Sequence, residues 1–133
     1  MKKILFICTH NSSRSQMAEG LINTFLGDKY KGYSAGIHPT MVNPYVIKVM
    51  KEIGIDLLNH SSKSVEQFRG EKFNYVITLC ENARHNIPLF PGVIFIHKEF
   101  SDPSKFSGTE DEIIAQLRLV RNEIQTWLTE IFN

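Results

Sequence analysis

Ile4-Leu5-Phe6-Ile7 runs into Cys8-Thr9-His10-Asn11-Ser12-Ser13-Arg14-Ser15, and an amphipathic stretch starts at Gln16. The apolar run reads as a buried parallel strand, the last stretch as a helix, and the small polar residues between them as a loop. Five residues separate Cys8 from Arg14. A loop of that length, from a strand end to a helix start, turns its amides and the helix N-terminus toward a tetrahedral oxyanion. Arg14 adds a planar charged fork. The same positive field favours the nucleophilic thiolate of Cys8. A plainer reading makes Cys8 an inert core thiol and Arg14 a first-turn surface residue. The polar loop and its strand–loop–helix context favour the anion-binding reading.

Working outward, Ser15 to Leu26 carries Met17, Leu21, Ile22, Phe25 and Leu26 on one helical stripe, ended by Gly27-Asp28. Gly32 to Ala35 reads as a second short strand. Asn43-Pro44 opens a second helix, with asparagine as N-cap and proline at the first position. Val46, Ile47, Val49, Met50 and Ile53 supply its inner face. Ser64 to Phe68 reads as one helical turn, Phe73 to Leu79 as the third strand and Val93 to Ile96 as the fourth. A last helix starts near Thr109, with acids Glu110, Asp111 and Glu112 in its first turn. Its apolar stripe is Ile113, Leu117, Val120, Ile124, Trp127, Leu128 and Ile131.

Strands alternating with helices imply right-handed crossovers and a parallel sheet covered on both faces. Ligands bind such sheets beyond the carboxyl ends of the strands. Cys8, Cys80 and the segment after Ile96 all fall at that edge. Cys80 reads either as a small apolar strand-end residue or as a second thiol able to attack a Cys8 adduct. Asp102-Pro103 reads either as a turn opener or as the source of a catalytic acid or base. Of the five histidines, none has metal-ligand spacing, and most read as surface or loop residues. His10 lies inside the anion loop, where it either tunes the thiol or projects outward.

The 133 residues suffice for one domain, 1–133. A formal charge of +1 gives no overall attraction to nucleic acid or anionic lipid. No run approaches the ~18 apolar residues of a membrane span. Met1-Lys2-Lys3 lacks the apolar stretch of a secretory leader, and two cysteines make neither a disulfide scaffold nor a zinc site. A reducing, cytoplasmic compartment is the expectation.

Several stretches together resemble the low-molecular-weight protein tyrosine phosphatase superfamily and, within it, the arsenate reductases. They are Cys8-Thr-His-Asn-Ser-Ser-Arg-Ser-Gln-Met-Ala-Glu-Gly20, Tyr33-Ser-Ala-Gly36, Val42-Asn-Pro44, Gly54-Ile-Asp56, Val76-Ile-Thr-Leu-Cys80 and Asp102-Pro103. The resemblance implies an α/β three-layer sandwich with a four-stranded parallel sheet, flavodoxin-like, in the order 2-1-3-4. It implies Cys8 as nucleophile, Arg14 as oxyanion clamp, Asp102 as acid or base, and Ser15 as the hydroxyl supporting the thiolate. Thr9, His10, Asn11, Ser12, Ser13 and Arg14 form the oxyanion-binding loop. Phosphatase members carry proline after Arg-Ser and aromatic residues after Asp-Pro; here Gln16 and Ser104-Lys105 stand in those places. The chain therefore resembles the reductase branch, in which Cys80 resolves a Cys8–arsenate adduct.

Thioredoxin-coupled members use a third cysteine, and the matching position here is Ile87. The expectation is no bound cofactor and an external thiol reductant: thioredoxin, glutaredoxin with glutathione, or a similar thiol. The substrate would be arsenate or a phosphate-type oxyanion, and the protein a monomer. The alternatives are a phosphatase acting on phosphotyrosine or aryl phosphates, and a non-catalytic oxyanion-binding or redox-sensing module. Some arsenate reductases hold potassium behind the loop through Asn, Glu, Ser and Asp. Asn11, Glu19 and Ser34 match, but Lys63 stands in the fourth place. The expectation is no metal, with the Lys63 ammonium pairing with Glu19 and bracing Asn11.

Overall fold

A computed structural model describes residues 1–132. Four parallel strands lie in the order β2-β1-β3-β4: β1 Lys2–Cys8, β2 Tyr30–Gly36, β3 Tyr75–Thr78 and β4 Ile94–His97. The helices are α1 Arg14–Phe25, α2 Pro44–Lys51, α3 Glu81–Asn86 and α4 Glu110–Ile131. Two 3₁₀ turns, Val65–Phe68 and Pro103–Lys105, complete the chain order. The expected architecture and strand order are those found.

Strand β1 is the centre. Ile4, Leu5, Phe6 and Ile7 are all fully buried, which requires cover on both faces of the sheet. Gly32 of β2 sits against Ile22 of α1, so its neighbour Tyr33 points to the opposite face. There Tyr33, Phe68 and Phe73 meet edge to face at centroid separations of 5.7–6.0 Å, and Phe90 extends the row from Phe73. Helices α1, α2 and α4 pack against one another. Asn43 caps α2 through its side chain, with Pro44 at the first turn, as expected. Thr109 and Glu112 form a full capping box on α4, stabilising that end by about 1 kcal/mol.

Three details differ from the pattern reading. Ile114 and Arg121 take inner positions of α4, while Ile113 is half-buried and Ile131 exposed. The inner stripe runs Ile114, Leu117, Val120, Ile124, Leu128, so it lies slightly to one side of the expected one. Trp127 rests edge to face on Phe100 at 5.9 Å, a packing role. Phe25 is exposed at the end of α1. Helix α3 is an addition: it buries only Ala83, so it has no apolar period to announce it.

Candidate active site

The loop between β1 and α1 is fixed by its carbonyls. Those of Cys8, Thr9, His10 and Ser12 accept from the amides of Ile37, His38, Thr40 and Asn43 in the β2–α2 connection. That of Asn11 accepts from Gln16 Nε2, and that of Ser13 from Met17 N at the start of α1. With every carbonyl turned outward, the loop amides are left to face inward as donors for an anion. Asn11 takes φ +51°, a left-handed conformation that asparagine tolerates well. Gly36 allows the β2 end to lie directly against this loop. A Cβ there would stand 2.8–2.9 Å from Asn11 N, His10 C and Thr9 O.

A buried chain of hydrogen bonds then reaches the thiol. Asn11 Oδ1 accepts from the Lys63 amide at 2.9 Å and from Gln16 Nε2 at 3.0 Å, which fixes the orientation of its side chain. Asn11 Nδ2 therefore donates to Ser15 Oγ at 2.7 Å. The Ser15 hydroxyl proton is left for Cys8 Sγ, 2.9 Å away. The chain of hydrogen bonds thus ends at the Cys8 sulfur.

Behind the loop, Glu19 Oε1 accepts from Ser34 Oγ at 2.7 Å and Glu19 Oε2 meets His60 Nδ1 at 3.1 Å. His60 Nδ1 is also 3.1 Å from Gln16 Oε1, so two acceptors share the one proton on that nitrogen. Here the Lys63 expectation needs correcting. Its ammonium donates to the Ser61 carbonyl at 2.8 Å, and Asn11 is braced by its backbone amide instead. Burial pulls the Lys63 amine down, which the Glu19 charge opposes. The side chain in direct contact with the second Glu19 oxygen is His60, which pattern reading placed among the surface or loop histidines. Gln16 and His60 were thus missed as loop supports, because their role depends on contacts 44–45 residues apart.

Arg14 is buried, with Nη1 donating to the Phe100 carbonyl at 3.2 Å and Nη2 3.7 Å from Asp102 Oδ1. Asp102 joins both of its sequence readings. Its Oδ1 accepts from Ser104 N and Ser104 Oγ, capping the Pro103–Lys105 turn, while the carboxylate faces the anion loop. Burial pushes its carboxyl up, but the Ser104 hydrogen bonds and the Arg14 and Lys105 charges leave it below the usual range. Asp102 is therefore a carboxylate at neutral pH. A cleft of about 200 Å³ is lined by Cys8, His10, Ser12, Ser13, Arg14 and Asp102, among others. His10 and Ser12 are half-buried on its wall.

Cys80 lies just beyond β3, next to β1, and is buried with a free thiol, as is Cys8. Its Sγ is 3.3 Å from Thr9 Oγ1, and Thr9 Oγ1 accepts from Asn82 Nδ2 at 3.3 Å. The Thr9 proton is then directed to Cys80. The Ala83 amide of α3 also donates to this sulfur at 3.5 Å. Thr9, Arg14, Cys80 and Asp102 line one further cleft, so both thiols open on the same edge of the sheet. Ile87, at the end of α3, is half-buried and packs against the core.

The chain is similar to proteins of known kind. It is 46% identical over 124 residues to an arsenate reductase of Halalkalibacterium halodurans, covering 92% of this chain and 89% of that one. It is 44% identical to an arsenate reductase of Bacillus subtilis, with 97% and 94% covered. A solved arsenate reductase in the oxidized state superposes with a TM-score of 0.83 at 32% identity, covering 98% and 96%. The family model for low molecular weight phosphotyrosine protein phosphatase matches residues 3–132. With a matching family model over nearly its whole length, this chain belongs to the low molecular weight phosphotyrosine protein phosphatase family.

Proposed function

We propose that residues 1–133 act as one catalytic domain that reduces arsenate to arsenite. The observation that carries this reading is the second thiol: Cys80 follows the strand that pairs with β1 and shares a hydrogen bond with Thr9 of the anion loop. The relatives named arsenate reductase support it. A hydrolytic phosphatase has no use for a thiol in that place.

In the proposed reaction the loop amides of Thr9 to Ser13 and the Arg14 guanidinium hold the oxyanion. The Cys8 thiolate, supported by Ser15, attacks arsenic and an arsenate oxygen leaves as hydroxide or water, giving a Cys8–S–As(V) adduct. Asp102, as a carboxylate, takes up the proton released by the Cys8 thiol and returns it to that oxygen as it leaves. The Cys80 thiolate then attacks Cys8 Sγ. The S–As bond breaks, its electron pair stays on arsenic, and As(III) departs as arsenite. The two thiols have lost two electrons and become a disulfide. Asn11, Glu19, Ser34 and Lys63 support the loop from behind.

Ile87 in place of a third thiol means that the disulfide must be reduced at Cys8 or Cys80 directly by an external thiol. A relative from Corynebacterium glutamicum, 26% identical, is named as thioredoxin-dependent. Thioredoxin and glutaredoxin with glutathione are therefore the reductants to compare. Arsenite formation should appear with one of these systems and vanish in Cys80→Ser. Turnover that survives in Cys80→Ser would move the resolving role to the external thiol. Hydrolysis of para-nitrophenyl phosphate without any arsenite would move the chain to the phosphatase reading.

A further inference from the structure

Outside the two thiols, the most unusual group of side chains surrounds His97, the last residue of β4. Its Nδ1 is 2.8 Å from Thr78 Oγ1 on the neighbouring strand, and Thr78 is fully buried. Its Nε2 is itself buried and has no hydrogen-bond partner among the described residues. Yet Glu81 Oε1 lies only 3.1 Å away, without the alignment of a hydrogen bond. When Nδ1–H donates to Thr78, Nε2 presents a lone pair toward a carboxylate oxygen. A cation between them satisfies both. Glu99 supplies a third donor, and all three ligand atoms lie within 4.8 Å of one another.

We propose that Glu81, His97 and Glu99 form a binding site for a divalent transition-metal ion of the zinc class. One imidazole and two carboxylates, with a position left for water, are a donor set such ions accept. Ligand atoms ~2.1 Å from a tetrahedral ion stand about 3.4 Å apart. The Glu81–His97 pair is already that close, and Glu99 is an exposed side chain free to swing inward. Thr78 supplies the outer hydrogen bond that fixes the tautomer and orientation of a metal-binding histidine. Arg84 and His85 also reach Glu81, at 3.4 and 3.1 Å. Both pairs are exposed and screened by solvent, so they yield to an ion.

The location gives the site its interest. Glu81 directly follows Cys80, and Glu99 stands on the connection that carries Phe100 and Asp102. Both acids line the cleft shared by Thr9, Cys80 and Asp102. A bound ion would tie the start of α3 to the opposite wall of that cleft. This inference rests on the three side chains and holds whichever oxyanion the loop accepts.

The test is calorimetric titration of zinc chloride into the full chain carrying Cys8→Ser and Cys80→Ser, which removes thiolates as competing ligands. One zinc per chain is expected. Glu99→Gln and His97→Gln, each added to that background, should weaken binding at least about tenfold. Circular dichroism checks the fold of the His97 variant; Glu99 is exposed and keeps the test decisive if that variant unfolds. No stoichiometric zinc in the thiol-free chain overturns the proposal. So does binding that Glu99→Gln leaves unchanged.

Discussion

Around Cys8, the carbonyls of residues 8 to 13 all have a donor, and the side chains behind them form a continuous buried network. Around Cys80, the six-residue α3 buries one side chain, and beyond it Leu89 of the following loop and Ile94 and Phe95 of the edge strand β4 are exposed. Cys8 ends β1 and Cys80 lies two residues past the neighbouring β3, but one surrounding is pre-organised and the other is lightly held. That difference suits the two tasks proposed for them. An anion must be gripped by donors already in place, whereas a second thiol must travel to reach the first.

Cys8→Ser should separate the regions most sharply. Turnover is expected to fall by at least about 10³-fold while the fold and anion binding persist, since loop and Arg14 remain. Cys80→Ser should leave phosphate or arsenate affinity intact, measured by calorimetry. Loss of anion binding in Cys80→Ser would break the division of labour.

Arg14→Lys tests the gripping side next. A point charge replaces a fork that is held by Phe100 and set against Asp102, and a fall of about 10²-fold in kcat/KM is expected. Gly36→Ala should then cost about 2 kcal/mol of stability and weaken anion binding, because the added methyl meets loop backbone rather than a yielding side chain. Denaturant unfolding and calorimetry measure the two effects. An unchanged anion affinity would mean that the loop is less tightly held than its contacts imply.

Glu52 serves as a control remote from both thiols. It accepts from Arg118 and from buried Arg121, which tie α4 to the end of α2. The Arg118 hydrogen bond and the charges of both arginines hold its carboxyl below the usual range, against the opposing effect of burial. Its contribution is therefore present above the ordinary carboxylate pKa and lost as pH falls through the depressed one. Glu52→Gln should lower stability near neutral pH by about 1 kcal/mol, flatten part of the acid limb, and leave anion affinity unchanged.

The anion loop was legible because its residues are consecutive: strand end, small polar loop, arginine and helix follow one another between Ile4 and Gln16. The sheet was legible for a similar reason, as β1 is an unbroken apolar run bounded by a loop. What supports the loop was less so. Gln16 and His60 look like ordinary polar residues until the chain closes, and only then do they meet Asn11 and Glu19. Lys63 was recognised at the right place, but its backbone amide and not its charge does the bracing. Helix α3 escaped notice because Glu81-Asn82-Ala83-Arg84-His85-Asn86 starts from a cysteine cap and has no apolar stripe.

The most direct test of the account is one anaerobic turnover: reduced protein mixed with excess arsenate and no external thiol, followed by arsenite assay and peptide mass mapping. The account predicts one arsenite per chain, together with a disulfide joining Cys8 to Cys80. Arsenite that forms only after an external thiol is added, with Cys80 still reduced, would contradict it.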